Sequence, residues 1–140
     1  MDRAQVALVQ SQFEGLEPGL GRLADRFLLR LFAAHPGARS VMPRELDRPK
    51  RRVGQLMSII AGRLHDFGAL EEGLRGAGER YAAKGATGAH YAAARTAMLA
   101  ALGDALGSAW TPLARGAWSA ALEAATGIMM RAGRCARMAA

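Results

Sequence analysis

The stretch RYAAKGATGAHYAAARTAMLAALGDALGSAWTPLARGAWSAALEAATGIM, residues 80–129, holds the punctuation that decides the fold. Gly85 is a natural stop for the helix that contains Tyr81, because glycine enters the left-handed region without steric cost. A new helix starts around Gly88 to His90 and carries Tyr91, Met98, Leu102 and Leu106. Gly107-Ser108 breaks it. Thr111-Pro112 then pairs an N-cap hydroxyl with a first-turn proline, whose missing N–H would have no partner there in any case. The helix opened in this way runs through Leu113, Trp118, Leu122 and Met129, and is expected to fray after Gly133.

Working back toward the N-terminus, the same reading finds four more helices. Tyr81 closes an apolar stripe with Leu70, Leu74 and Ala77, whose spacing brings all four to one helical face. The connection His65-Asp66-Phe67-Gly68 separates this helix from one that carries Val53, Leu56, Met57, Ile60 and Leu64 and that Pro49 can open in its first turn. Residues 38–47 are poorly patterned. Before them, Leu20, Leu23, Phe27, Leu31 and Phe32 form a stripe that ends at His35-Pro36, since a residue before proline is pushed out of the helical region. The first helix begins at Asp2 as N-cap, carries Val6, Val9 and Phe13, and ends at Glu17-Pro18-Gly19. No segment alternates with the two-residue period of a strand. The expectation is an all-α packed domain of about six main helices, over residues 1–133, with an Arg-containing tail at 134–140.

Bulk composition agrees with one folded domain. The chain has 140 residues, 51% of them hydrophobic and 22% charged, which excludes wholesale disorder. The formal net charge of +7 can draw a protein toward nucleic acid or an anionic membrane, although arginine on solvated faces explains it equally well. Of 19 basic residues only Lys50 and Lys84 are lysines. Cys135 stands alone, so no intramolecular disulfide forms. The start lacks the charged-then-apolar layout of a signal peptide, and no apolar run reaches the roughly 18 residues that span a bilayer. A cytoplasmic location is expected.

Two stretches in one order carry a family resemblance. DRFLLRLFAAHPGARSVMP, residues 25–43, resembles the second helix and following turn of bacterial globins of the single-domain and flavohaemoglobin type. Residues 80–129 resemble their proximal region and last two helices. Gly85 and Tyr91 stand in step with the family pattern, Trp118 matches a tryptophan common in the last helix, and the Thr-Pro opening is family-like. The resemblance implies a globin-like arrangement and haem as cofactor, with a diatomic ligand or peroxide as its substrate, and a homodimer or a regulatory protein as partner. It also places Tyr81, Met42, Leu28, Val53, Met57, Tyr91 and Met98 around the cofactor.

The same comparison exposes departures. Tyr81 stands where the family has its iron-ligating histidine. Met42 stands at the position of the phenylalanine that wedges the haem. The distal polar residue falls near Pro49, and Leu28 replaces a distal tyrosine. A tyrosine can ligate haem iron as phenolate, which favours the ferric state over reversible oxygen binding. With a free pKa near 10, it needs help to ionise, and helical spacing nominates Lys84 as its cationic neighbour. Ferric haem would also permit weak peroxidase-like chemistry. The structural alternative is that Tyr81 is a core aromatic of a globin fold without haem, a sensor or protein-interaction module whose pocket is filled by flexible Met42, Met57, Met98 and Met129 or by another apolar ligand.

Other candidates are read against their bland explanations. His90 is the alternative metal ligand, but it sits at a helix start. His35 precedes Pro36 in a turn expected to be solvated, and His65 lies at a helix end. Arg44, Arg48, Lys50, Arg51 and Arg52 form the densest basic run, near the expected mouth of the pocket, where they could meet haem propionates or simply face water. Arginines around Cys135 could lower its pKa. No nucleophile triad, phosphate-binding loop or pair of catalytic carboxylates is readable.

Overall fold

The computed structural model describes residues 1–41 and 47–139. Six α-helices follow one another: α1 (Arg3–Leu16), α2 (Leu20–Ala34), α3 (Asp47–Arg63), α4 (Phe67–Ala83), α5 (Gly88–Leu106) and α6 (Pro112–Ala139). No strand occurs among the described residues, so the fold is all-α and globin-like. Among them, no helix is long and apolar enough to cross a membrane.

The capping residues act where the sequence places them. Asp2 accepts from the amide of Gln5 at 2.8 Å while the Gln5 side chain receives the Asp2 amide, a reciprocal box that fixes the start of α1. Asp66 accepts from the Ala69 amide and opens α4. The Ala114 amide donates to Thr111 Oγ1 at the head of α6. Gly85 and Gly107 hold φ of 91° and 54°, a region open to glycine without cost, and the chain leaves α4 and α5 through them.

One expectation is corrected, and part of the poorly patterned stretch gains a structure. Residues 38–41 of that stretch complete a 3-10 segment, Pro36–Val41, with Ser40 Oγ donating to the Gly37 carbonyl at 2.8 Å. Helix α6 does not fray after Gly133. It continues to Ala139, because Gly133 is buried against Ala82 of α4 and the Ala-Arg-Met sequence at 136–138 favours helix. Met42 and Arg44 lie outside the described residues.

The core is one cluster. Trp118 of α6 is fully buried at its centre, with Val9 of α1, Leu23 and Leu31 of α2, Leu70 and Leu74 of α4 and Leu102 of α5. Helix α4 packs chiefly on α6, and α2 on α5, while α3 bridges α2 and α4. The α4–α6 crossing is close because both helices present glycine there. A Cβ on Gly78 would fall on the backbone carbonyl of Met129. Trp118 Nε1, buried with its ring, donates to Gln12 Oε1 at 2.9 Å, so the large aromatic leaves no donor unpaired.

Candidate functional site

Between α2, α3, α4, α5 and α6 lies an apolar cavity of about 120 Å³. Helical periodicity determines which side chains reach it. Phe27 and Leu31, four residues apart on α2, face it, as do Val53, Met57 and Ile60 on α3 and Tyr91, Ala94, Arg95 and Met98 on α5. Helix α6 contributes Leu122, Thr126 and Met129, and the 3-10 segment contributes Ala38 and Val41. Tyr81 enters from the last turn of α4, half-buried. Val53, Met57, Tyr81, Tyr91 and Met98, scattered over three helices in sequence, therefore line the same cavity.

Leu28 does not join them. It is buried in the core but off the cavity, since one residue step turns a side chain about 100° around the helix axis and hands the position to Phe27 and Leu31. Pro49 is buried and also off the wall.

The hydroxyl of Tyr81 makes no hydrogen bond among the described residues. Burial pushes its pKa above the usual value of 10.0, and the nearby guanidinium groups of Arg52 and Arg80 only partly oppose this. Lys84, the cation nominated from spacing, is not among the charges acting on it. Lys84 is the exposed C-cap of α4, and spacing alone does not give the direction of a long solvated side chain. Of the basic run, which falls largely in the first turns of α3, Arg52 acts on the charge of Tyr81, while Lys50 pairs with Asp25 at 2.6 Å.

Burial raises Tyr91 as well, to about 12, with the neighbouring Tyr81 adding to the rise and Arg137 opposing it. Its hydroxyl is shielded from solvent and has no hydrogen-bond partner.

His90 has a structural duty. Its Nδ1 accepts from the Thr87 amide at 2.9 Å while Thr87 Oγ1 accepts from the His90 amide, the reciprocal box that starts α5. An amide N–H can only donate, so the Nδ1 lone pair is used and the neutral ring carries its proton on Nε2. Neither nitrogen has a lone pair left for a metal while the cap is closed. The His90 ring also borders the cavity and meets His35 beside it, with ring centroids 4.9 Å apart. His35 is therefore half-buried rather than solvated.

Two polar wall residues escaped the sequence reading. Arg95 donates to Thr126 Oγ1 at 2.9 Å, and Thr126 donates in turn to the Leu122 carbonyl. A charged residue four positions after Tyr91 and three before Met98, on an otherwise apolar face, was the available signal.

Comparison with known proteins agrees with this architecture. The globin family profile matches residues 25–129, from within α2 to within α6, a span that includes every wall of the cavity. No curated protein matches the chain. With most of its length inside that match and its helices arranged accordingly, the chain belongs to the globin family.

Proposed function

We propose that this globin-family chain binds haem in the cavity between α2 and α6, with Tyr81 as the protein ligand to a ferric iron. The observation that carries the reading is the donor set on the wall. His90 has its free lone pair taken by the Thr87 amide, Thr126 is engaged by Arg95, and Arg95 has no lone pair to offer. Tyr81 and Tyr91 each retain an oxygen with no internal partner, but that of Tyr91 is sealed from any water-sized space, so Tyr81 keeps the one a ligand can reach. The apolar remainder suits a macrocycle, and Arg52 supplies a cation suited to a propionate. When bound, ferric iron contributes the positive charge that draws a phenol toward phenolate. The protein's own part is to exclude water, to hold Tyr81 at the end of α4, and to keep His90 committed to its cap.

Size supports a second reading. The cavity of about 120 Å³ is smaller than the roughly 300–1,000 Å³ of pockets for drug-sized ligands, and close to the engineered apolar cavity of about 150 Å³ that takes benzene or xenon. A globin domain without haem, with this cavity open to a small apolar molecule and serving as sensor or interaction module, fits that volume. It also fits a phenol that burial keeps protonated.

One titration separates them. Ferric haem is added to the purified chain and the absorption spectrum recorded. A Soret band with a phenolate charge-transfer band, the latter absent in Tyr81→Phe, supports the first reading. Absence of any Soret band sinks it and leaves the second. A spectrum unchanged in Tyr81→Phe but lost in His90→Ala would transfer the ligand to His90.

A further inference from the structure

The apolar cavity carries a single charged residue on its lining, and that charge has no counterion among the described residues. Arg95, in the middle of α5, lines the cavity beside Ala94 and Met98, yet it is half-buried rather than enclosed. A long side chain that both lines a cavity and reaches solvent stands at its mouth, with its apolar stem along the wall and its guanidinium at the edge. One N–H of that guanidinium donates to Thr126 Oγ1 at 2.9 Å. Thr126 is buried and donates to the Leu122 carbonyl, so the contact holds the guanidinium in place from α6. The other guanidinium N–H groups meet no acceptor among the described residues. Glu123, one turn before Thr126, is exposed and does not pair with Arg95. A guanidinium cannot shed its proton to escape this situation.

On the haem-free reading of this cavity, on which the assignment rests, we infer that its occupant is a small apolar acid, a ring-sized monocarboxylate whose body fills the cavity and whose carboxylate pairs with Arg95 at the mouth.

The other polar groups on the lining agree with an acid. Thr126 is satisfied, since its oxygen accepts from Arg95 and its proton goes to the Leu122 carbonyl. His90 accepts at Nδ1 from the Thr87 amide, so it carries its proton on Nε2, and that N–H has no partner. The Tyr81 hydroxyl donates to nothing among the described residues. Each group with capacity to spare can therefore donate, and the one charge is positive. A hydrocarbon would leave all of them unanswered, and an amine would meet Arg95 as a like charge. An apolar body with an anionic acceptor at one end answers both the wall and its edge. Keeping the carboxylate at the mouth limits the cost of its dehydration, and a guanidinium already fixed by Thr126 gives it a charge-assisted hydrogen bond. Size selects within the class. The volume of about 120 Å³ is near that of the apolar cavity of about 150 Å³ that takes benzene, so one ring fits and a long acyl chain does not.

The test uses the full chain as purified, its methionine methyl groups labelled with ¹³C, titrated with benzoate, with benzamide and with toluene at constant ionic strength. Benzamide keeps the shape of benzoate without the charge. Saturable shifts of the Met57 and Met98 methyl signals are expected, and benzoate should bind about tenfold tighter than benzamide, the difference made by one charge-assisted hydrogen bond. Arg95→Met keeps an apolar stem and should bring benzoate down to the affinity of benzamide, with toluene unchanged. Arg95→Lys keeps the charge and should retain part of the preference. The comparison of benzoate with benzamide in the wild-type chain decides the matter even if Arg95→Met does not fold. Benzoate no tighter than benzamide, of unchanged affinity in Arg95→Met, or shifting only methyl groups away from the cavity overturns the acid, while saturable toluene binding leaves the haem-free cavity standing. A Soret band in the chain as purified, or no shift with toluene, overturns the haem-free reading and the acid with it.

Discussion

His35 and His90, 55 residues apart in the chain, lie ring against ring at the cavity edge, 4.9 Å between centroids and tilted by 45°. Each is also a helix terminus. The His35 amide donates to the Leu31 carbonyl at 2.7 Å and closes α2, and His90 Nδ1 closes the cap of α5. One contact between imidazoles thus ties the end of one helix to the start of another, beside the pocket. Of the two rings, that of His90 is held by a backbone hydrogen bond of its own, which takes the lone pair a ligand would need.

The first prediction concerns that pair. His90→Ala opens one half of the capping box and removes the contact with His35, and it should cost about 1 kcal/mol of stability, the usual penalty for losing a cap. A urea titration followed by circular dichroism checks it. If Tyr81 is the iron ligand, the same variant loaded with ferric haem keeps the charge-transfer band.

Gln12 is predicted to matter more than its half-exposed position suggests. Its Oε1 is the acceptor for Trp118 Nε1, 106 residues away, and its own Nε2 donates to the Ala109 carbonyl at 3.0 Å. Gln12→Leu leaves the indole N–H buried without a partner, at a cost of about 1–3 kcal/mol. Trp118 fluorescence in a urea series will measure it, and a midpoint unchanged from wild type would show that water replaces the amide.

Tyr91→Phe should stabilise the chain, and by more in alkali than at neutral pH. At neutral pH it removes a hydroxyl that is buried without a partner, and a gain of about 1 kcal/mol is expected. In alkali the sign follows from proton counting. The folded group titrates at about 12 and the unfolded one at 10.0, so between these values the unfolded chain has released a proton that the folded chain keeps. Stability is therefore complete below pH 10.0 and falls as pH rises toward about 12. Tyr81, also raised, adds to the same decline. Urea midpoints across this window should fall less steeply in Tyr91→Phe than in wild type.

Much of this fold was legible because its helix boundaries are chemically marked. Asp2 and Thr111 cap, Gly85 and Gly107 turn, and each leaves a local signature in the sequence, whereas the caps Asp66 and Thr87 are not singled out there. Stripe periodicity likewise put Tyr81 on the inward side of α4 together with Leu70, Leu74 and Ala77. It identifies the buried side of a helix but not the neighbour that side meets. Leu28, placed at the pocket by the family resemblance, lies off it while Phe27 and Leu31 face it, and the contacts of His35 with His90 and of Arg95 with Thr126 leave no mark in the periodicity. The charges on Tyr81 are likewise a matter of tertiary packing: Arg52 acts on it from another helix, and Lys84, nominated from spacing, does not.

The last prediction tests how closely α4 and α6 must approach. Gly78 faces the backbone of α6, not a side chain that could move aside, and a methyl group there would fall on the Met129 carbonyl. Gly133 is different: its added Cβ would meet the Ala82 Cβ at 2.8 Å and the Gly78 carbonyl oxygen at 3.2 Å, so part of the clash is with a single methyl group. Relief at Gly78 requires the two helices to separate, and they form the most extensive helix pair in the molecule, with Leu74 and Trp118 fully buried nearby in the core. Gly78→Ala should therefore cost about 3 kcal/mol, the upper end for overpacking, in spite of alanine's better helix propensity of about 1 kcal/mol. Gly133→Ala should cost less, and Gly133→Ala with Ala82→Gly should recover most of that loss, because the pair exchanges one methyl group across the interface. Chemical denaturation of the three variants decides the matter. Equal stability of Gly78→Ala and wild type would mean that the crossing can open without loss.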